Sequence, residues 1–107
     1  MNKKQDTIIL SPNTPVVGDK LKINYKGCLA NTSDNSIYVH LGYTDNTTNW
    51  SDVSNLQMYR NSNNDFEAII PVKDKQCLNF TFYDANGNWD NNYGNNYSFN
   101  VKVRPDW

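Results

Sequence analysis

The sequence predicts an all-β chain that folds as an immunoglobulin-like antiparallel β-sandwich of about seven strands. Short runs in which β-branched or aromatic residues alternate with polar residues recur along the chain. Asn, Asp, Gly and Pro separate these runs, as expected of turns. No window carries a convincing apolar stripe at helical spacing. The predicted strands span residues 7–10, 20–25, 37–43, 56–59, 65–71, 78–84 and 97–103.

Alternation also predicts the core, because successive side chains of a strand point to opposite faces of its sheet. Strands 20–25 and 65–71 are expected in one sheet, and strands 37–43, 78–84 and 97–103 in the sheet packed against it. The expected core is Leu21, Ile23, Tyr25, Ile37, Val39, Leu41, Tyr43, Phe66, Ala68, Ile70, Leu78, Phe80, Phe82, Tyr97, Phe99, Val101 and Val103. The residues expected on the outer face include Tyr38, His40, Gly42, Asn79, Thr81 and Tyr83.

The length of 107 residues corresponds to a single module over residues 1–107, with its core at about 17–103. The net charge is -1 and the 10 Lys and Arg residues are scattered, so nucleic acid and anionic membrane are not expected partners. No apolar run approaches the roughly 20 residues of a membrane span. Residues 1–6 do not lead into the apolar region of a signal peptide, so any export signal is expected outside this fragment.

Two cysteines, Cys28 and Cys77, are too few for a disulfide framework and lack the spacing of a zinc site. In an immunoglobulin-like strand order they lie at opposite ends of the sandwich. A strand of about seven residues is roughly 20 Å long, whereas a disulfide tolerates a Cα separation of about 4.4–6.8 Å. The sequence therefore predicts two free thiols.

Two long polar connections each carry one tryptophan. Trp50 lies within residues 44–55, and Trp89 lies within residues 84–97, next to an Asn86-Gly87 turn signal. A pyranose ring stacks its C–H face on an indole while its hydroxyls bond to amide and imidazole groups. The candidate ligand-binding residues are the two tryptophans, the outward histidine and the polar side chains after Trp89, namely His40, Trp50, Trp89, Asp90, Asn91 and Asn92.

Each of these features has a purely structural alternative. Either tryptophan can fold inward to close one end of the sandwich, since tryptophan is highly buried on average. A lone outward histidine is most often solvated. Residues 84–90 loosely resemble a calcium loop, but glycine stands at the fourth position instead of the sixth and the bidentate glutamate position is Asn95. We therefore assign no metal.

Catalysis is not expected from this chain. Glycosidases generally need two carboxylates flanking the scissile bond, and the only glutamate, Glu67, falls in the middle of a predicted strand. A cysteine paired with His40 lacks an evident orienting group and an oxyanion loop. We assign no catalytic residue and no cofactor.

The order of the motifs supplies a further argument. It runs from Ile-Tyr-Val-His-Leu-Gly-Tyr at 37–43 through Trp50 and Phe-Thr-Phe-Tyr-Asp at 80–84 to Asn-Gly-Asn-Trp-Asp-Asn-Asn at 86–92 and Tyr97. This order resembles carbohydrate-binding module family 25 over residues 17–103. The most specific part is the run at 88–92.

The resemblance implies a non-catalytic module that binds starch or a related α-1,4-glucan through a platform of His40, Trp50 and Trp89, with Asn91 or Asn92 bonding to hydroxyls. It also implies a secreted bacterial amylase as the parent, with the module as a monomeric part of a multidomain enzyme. The two tryptophan loops begin at opposite ends of the sandwich, so a joint site requires both to fold back toward the histidine. The alternative function is an immunoglobulin-like adhesion or spacer module whose aromatic patch binds a protein.

Overall fold

The computed structural model describes residues 8–27, 29, 36–45, 49–91 and 96–103. Within these ranges the chain forms nine strands and no α-helix. No helix there is long and apolar enough to cross a membrane. The strands are β1 (Ile8–Ser11), β2 (Lys20–Tyr25), β3 (Ile37–Thr44), β4 (Ser51–Gln57), β5 (Tyr59–Arg60), β6 (Phe66–Pro71), β7 (Cys77–Asp84), β8 (Trp89–Asp90) and β9 (Tyr97–Asn100).

The strands form two antiparallel sheets that pack as a sandwich. One sheet has the order β1-β2-β6-β5. The other has the order β4-β3-β7, and β7 pairs with β9 through its first half and with β8 through its second half. The predicted all-β sandwich is confirmed, with nine strands in the described residues in place of about seven.

The core lies between the two sheets and follows the predicted alternation. All of the core residues expected on β2, β3, β6 and β7 are buried. Tyr25 of one sheet stacks on Phe82 of the other, with ring centroids 4.1 Å apart. Burying one such large side chain contributes about 1.5–3 kcal/mol, so these central strands form the rigid base on which the outer face is built.

The last strand is shorter than predicted, and the expected burial of Val103 is wrong. β9 ends at Asn100, which pairs with the first residue of β7, and the chain leaves this sheet after the Val101 amide has donated to the carbonyl of Gln76 at 2.9 Å. It turns instead toward the connection before β2, where the Lys102 amide donates to the carbonyl of Pro15 at 2.8 Å. Val103 is left 71% exposed.

Two side chains expected in solvent, Asn79 and Thr81, are buried on the outer face of β7. β7 is flanked by β3 on one side and by β8 and β9 on the other, so it is an inner strand of its sheet. Asn79 accepts a hydrogen bond from the Ser98 hydroxyl at 2.7 Å and donates one to the Thr44 hydroxyl at 3.4 Å. The outer face is therefore more tightly packed than alternation alone indicates.

The predicted strand at 56–59 is divided between two strands in different sheets. β4 begins at Ser51, inside the expected polar loop, and pairs with β3 at the edge of its sheet. Met58 is buried, and its amide donates to the carbonyl of Ile37 at 2.8 Å. Beyond this crossing, β5 pairs with β6 in the opposite sheet. The sequence gives little sign of β4, because most of this edge strand is exposed and polar.

Cys77 carries a free thiol, as predicted. Its Sγ lies 3.4 Å from Oδ1 of Asn100. Cys28 lies outside the described residues, so its state stays a prediction.

Candidate functional site

A cluster of aromatic rings lies on the outer face of the five-stranded sheet. Tyr38 of β3 pairs with Tyr83 of β7, and Tyr83 pairs in turn with Trp89 of β8. His40 lies two residues further along β3, on the same face. Together with Trp50, these residues form what we call the aromatic cluster: Tyr38, His40, Trp50, Tyr83 and Trp89.

Trp50 reaches this face because the chain returns along β3. β4 runs antiparallel to β3, and Trp50 is the residue before it. The indole lies over Gly42, where an added Cβ would come within 2.7 Å of Trp50 Cε3 and 3.1 Å of Val53 Cγ2. The register of β4 shifts opposite this position, between Leu41 and Tyr43. The bulge in β4 and the absence of a side chain at Gly42 thus make room for the Trp50 ring.

Trp89 reaches the same face through a tight turn after β7. Oδ1 of Asp84 accepts hydrogen bonds from the amides of Asn86 and Asn88, each at 2.9 Å, and Oδ2 accepts one from Nδ2 of Asn88 at 3.0 Å. Gly87 takes the left-handed φ of 87° that such a turn requires. Trp89 then pairs directly with Tyr83. The turn therefore reverses the chain and places the indole over β7.

The same hydrogen bonds decide the electrostatics of the turn. The side chain of Asn88, its backbone amide and the amide of Asn86 lower the pKa of the Asp84 carboxyl below its usual value. Both carboxylate oxygens of Asp84 therefore accept hydrogen bonds from neighbouring groups of the chain, as expected of a turn at Asn86-Gly87. Among the residues that the structure describes, no group of three or more potential metal ligands occurs.

The rings of the aromatic cluster have two orientations. His40 and Trp50 are nearly parallel, with centroids 5.6 Å apart and planes inclined by 23°. His40 and Trp89 meet edge to face, with centroids 6.0 Å apart and an angle of 83°. Taking 23° from 83°, the two indole planes are inclined to each other by at least 60°. The cluster therefore has the form of an angled shelf instead of a flat surface.

Two tyrosines support the Trp89 side of this shelf. Tyr83 stacks on Trp89 with centroids 4.6 Å apart, and Tyr38 stacks on Tyr83 at 5.0 Å. Trp89 is still 54% exposed, and Trp50 is half-buried. Tyr83 therefore orients the indole while leaving much of it open to solvent.

The polar groups around the rings have different surroundings. Nδ1 of His40 lies 2.7 Å from Oδ1 of Asn55, and the hydroxyl of Tyr83 donates to the same oxygen at 3.4 Å. Asn91 follows β8 and is exposed. Asn92 lies outside the described residues.

Asp90 has both carboxylate oxygens bonded to tyrosines. Tyr25 donates to Oδ2 at 2.6 Å, and Tyr97 donates to Oδ1 at 2.9 Å. Tyr25 belongs to the four-stranded sheet, and Tyr97 begins β9. Asp90 thus links β8 to both sheets directly behind Trp89.

The structure brings His40, Trp50 and Trp89 together, and both tryptophan segments fold back toward the histidine as a joint site requires. Sequence reasoning did not assign Tyr38, Tyr83 or Asn55 to this site. For the tyrosines a signal was available, because alternation turns both outward on the strands that surround His40. For Asn55 there is no such signal, because the sequence predicts a polar connection over residues 44–55.

Comparison with known proteins gives a family. A family model described as a starch/carbohydrate-binding module (family 53) matches residues 21–80. This match confirms the likeness to starch-binding modules. It does not confirm the resemblance to family 25, since the matching family is a different one. The matched residues include His40 and Trp50, and Trp89 lies beyond them.

Two curated relatives are alpha-amylases. The one from Clostridium acetobutylicum is 38% identical over 87 residues, which is 80% of this chain and 10% of the amylase. The one from Niallia circulans is 34% identical over 83 residues, which is 77% of this chain and 6% of the amylase. The chain therefore spans a tenth or less of the length of these relatives.

Proposed function

Because this chain belongs to the starch/carbohydrate-binding modules of family 53, we propose that it is a non-catalytic module that binds α-1,4-glucan on the aromatic cluster. In this proposal Trp50 and Trp89 stack on glucose rings, and His40, Asn91 and Asn92 bond to sugar hydroxyls. The observation that carries it is the half-exposed indole of Trp89, which stands edge-on to His40 beside a second indole.

The chemistry of a pyranose suits this surface. The C–H face of the sugar is apolar and packs on an indole, whereas its hydroxyl rim needs donors and acceptors in the same plane. Trp89 offers open aromatic area, and His40 and Asn91 offer polar atoms beside it. A surface with both kinds of group favours a neutral polar ligand, whereas a contiguous exposed apolar patch would favour a protein partner.

The angle between the indoles favours a curved glucan. Consecutive glucose units of an α-1,4-glucan turn relative to one another, whereas the chain of cellulose is flat and fits coplanar rings. Indole planes inclined by at least 60° cannot both stack on one flat ribbon. We therefore propose that the module prefers amylose and maltooligosaccharides to cellooligosaccharides.

Asp90 has a supporting role in this proposal. Its two oxygens already accept hydrogen bonds from Tyr25 and Tyr97. It therefore holds β8, and with it Trp89, against the sandwich, while the amides that follow it meet the sugar.

The binding role does not require a catalytic pair in this chain. Glu67 lies on β6 of the opposite sheet, where it forms an ion pair of 3.6 Å with Lys22. Since both curated relatives are amylases, we propose that the parent protein is a secreted, multidomain amylase-type glycosidase, which the module directs to its substrate. The family 25 motif order remains compatible with this role.

One titration tests the proposal. Maltoheptaose added to the isolated chain should change the tryptophan fluorescence with a dissociation constant of about 10 µM to 1 mM, as expected of a shallow site. Cellohexaose should give a much weaker response. Trp89→Ala should lower the affinity for maltoheptaose at least about tenfold, which corresponds to about 1.4 kcal/mol.

The matched control is Tyr59→Ala, since Tyr59 is a 69% exposed aromatic residue on the other sheet. In affinity electrophoresis with amylose, this variant should be retained as strongly as the wild type. An unchanged affinity in Trp89→Ala rejects the site, absence of any sugar response favours the adhesion module, and release of shorter maltooligosaccharides shows an enzyme.

A further inference from the structure

With the Asn55 amide oriented as it is in the structure, the contact between His40 and Asn55 places the imidazole hydrogen on Nδ1. Oδ1 of an asparagine amide accepts hydrogen bonds and cannot donate them. It lies 2.7 Å from Nδ1 of His40, so Nδ1 is the donor in this contact. In a neutral imidazole one nitrogen donates and the other accepts. Nε2 is therefore left with a lone pair.

Oδ1 of Asn55 has a second contact in the structure. The hydroxyl of Tyr83, across β3 from Asn55, donates to the same Oδ1 at 3.4 Å. Asn55 thus connects the His40 side of the aromatic cluster with Tyr83, which supports Trp89.

We infer that Asn55 is a positioning residue, which holds His40 in the Nδ1–H form so that Nε2 accepts a hydrogen bond from a sugar hydroxyl. This inference rests on the proposed function for its ligand, but the state of the ring can be measured without one. In a free histidine side chain the neutral ring favours the opposite, Nε2–H form. The protein therefore presents an acceptor where an unassisted histidine would mostly present a donor.

The experiment is a long-range ¹H–¹⁵N correlation spectrum of the imidazole nitrogens in the ¹⁵N-labelled chain. The sequence contains one histidine, so the signals need no assignment by mutation. A pH series identifies the neutral ring, in which Nδ1 should show the shift of a protonated nitrogen and Nε2 that of an unprotonated one. In Asn55→Ala the ring should move toward the Nε2–H form, and the affinity for maltoheptaose should fall about fivefold.

Two variants separate positioning from general damage. Asn55→Asp keeps an acceptor oxygen opposite Nδ1 and should keep the Nδ1–H form. Tyr83→Phe removes only the second contact of Asn55 and should also keep it. Since Asn55 is exposed on an edge strand, its replacement should leave the fold intact.

The outcomes are distinct from those of the proposed function. The inference is wrong if the His40 ring of the wild type is in the Nε2–H form. It is also wrong if Asn55→Ala leaves the His40 ring in the same form as the wild type. Both results count even if the chain binds maltoheptaose normally. If Asn55→Ala changes the tautomer of His40 without lowering the affinity for maltoheptaose, Nε2 does not accept a hydrogen bond from the sugar. A chain that binds no glucan at all contradicts the proposed function and the sugar contact, and the spectra still decide the role of Asn55 toward His40.

Discussion

Trp50 occupies the space that a side chain at residue 42 would need: a Cβ added to Gly42 would lie 2.7 Å from Trp50 Cε3. Gly42 does not have the left-handed φ that demands glycine at Gly18 and Gly87. Glycine is therefore required at this position for space, and the placement of one indole depends on it.

Gly42→Ala should displace Trp50 and weaken binding. A carbon at 2.7 Å is closer than van der Waals contact permits, so the indole must lift from β3 or rotate. We expect the affinity for maltoheptaose to fall about tenfold. Fluorescence titration measures the loss, and the emission maximum of the free protein should shift because the environment of Trp50 changes.

The control for this variant is Gly18→Ala, which should lower the stability of the fold and leave the binding unchanged. Nothing lies within 4 Å of an added Cβ there, but the φ of 86° strains an alanine. Stability should fall by about 1–2 kcal/mol while the affinity stays that of the wild type. Unchanged binding in Gly42→Ala would mean that Trp50 does not contact the sugar.

Tyr83→Ala should weaken binding through Trp89. The tyrosine ring stacks on the indole at 4.6 Å, and without it Trp89 gains freedom that the ligand must then restrict. We expect an affinity about fivefold lower, measured by isothermal titration with maltoheptaose. Tyr59→Ala serves as the tyrosine control on the other sheet, and equal affinities for the two variants would contradict the supporting role of Tyr83.

Asp90→Ala should destabilise the fold more than it changes specific sugar contacts. The substitution removes the acceptor for the hydroxyls of Tyr25 and Tyr97. Hydrogen bonds to a charged group contribute about 1.5–3 kcal/mol each, so urea unfolding should show a loss of at least about 1.5 kcal/mol. Glu67→Gln, which removes an exposed ion pair, should cost less than about 1 kcal/mol. A stable Asp90→Ala variant that has lost binding would instead make Asp90 a direct sugar ligand.

Asp84 makes the stability of the Trp89 turn depend on acid. Its pKa in the folded state lies below the unfolded value of 3.8, because donors led by Asn88 stabilise the carboxylate. The stabilisation is therefore fully present above pH 3.8 and is lost as the pH falls through the lower, folded pKa. Asp84→Asn should be less stable near neutral pH and should lose less stability on acidification. Urea unfolding of the wild type and of Asp84→Asn in buffers from about pH 7 to pH 2.5 measures how the free energy of unfolding of each changes with pH. Parallel pH profiles of the two proteins would contradict this role.

Much of the fold could be predicted because strands with one buried face show a period of two. β2, β3, β6 and β7 carry that period and lie at the predicted places with the predicted faces inward. The first five residues of β4, 51–55, could not be predicted, because they are polar and exposed at the edge of the sheet and show no alternation of apolar and polar residues. β8 has two residues and is created by the Asp84 turn instead of by its own sequence.

The candidate site shows a similar division. Two tryptophans in polar loops and an outward histidine could be recognised from residue type and alternation. The angle between the indoles depends on the pairing of β3 with β4 and β7, and the Tyr83 support depends on the pairing of β7 with β8. Residue type and alternation alone contain neither pairing. The double use of Asp90 by Tyr25 and Tyr97 likewise depends on contacts across 65 and 7 residues.

The bulge in the edge strand β4 also bears on association between copies of the chain. A long straight edge invites another strand to hydrogen-bond to it, and sheets then join into ribbons. Here the register of β4 is broken opposite Gly42, and Asp52 beside the break has a φ of 51° and an ion pair with Lys75. Among the strands that the structure describes, the other edge strands have two to four residues. Copies of the chain held close together should therefore remain separate molecules instead of joining edge to edge.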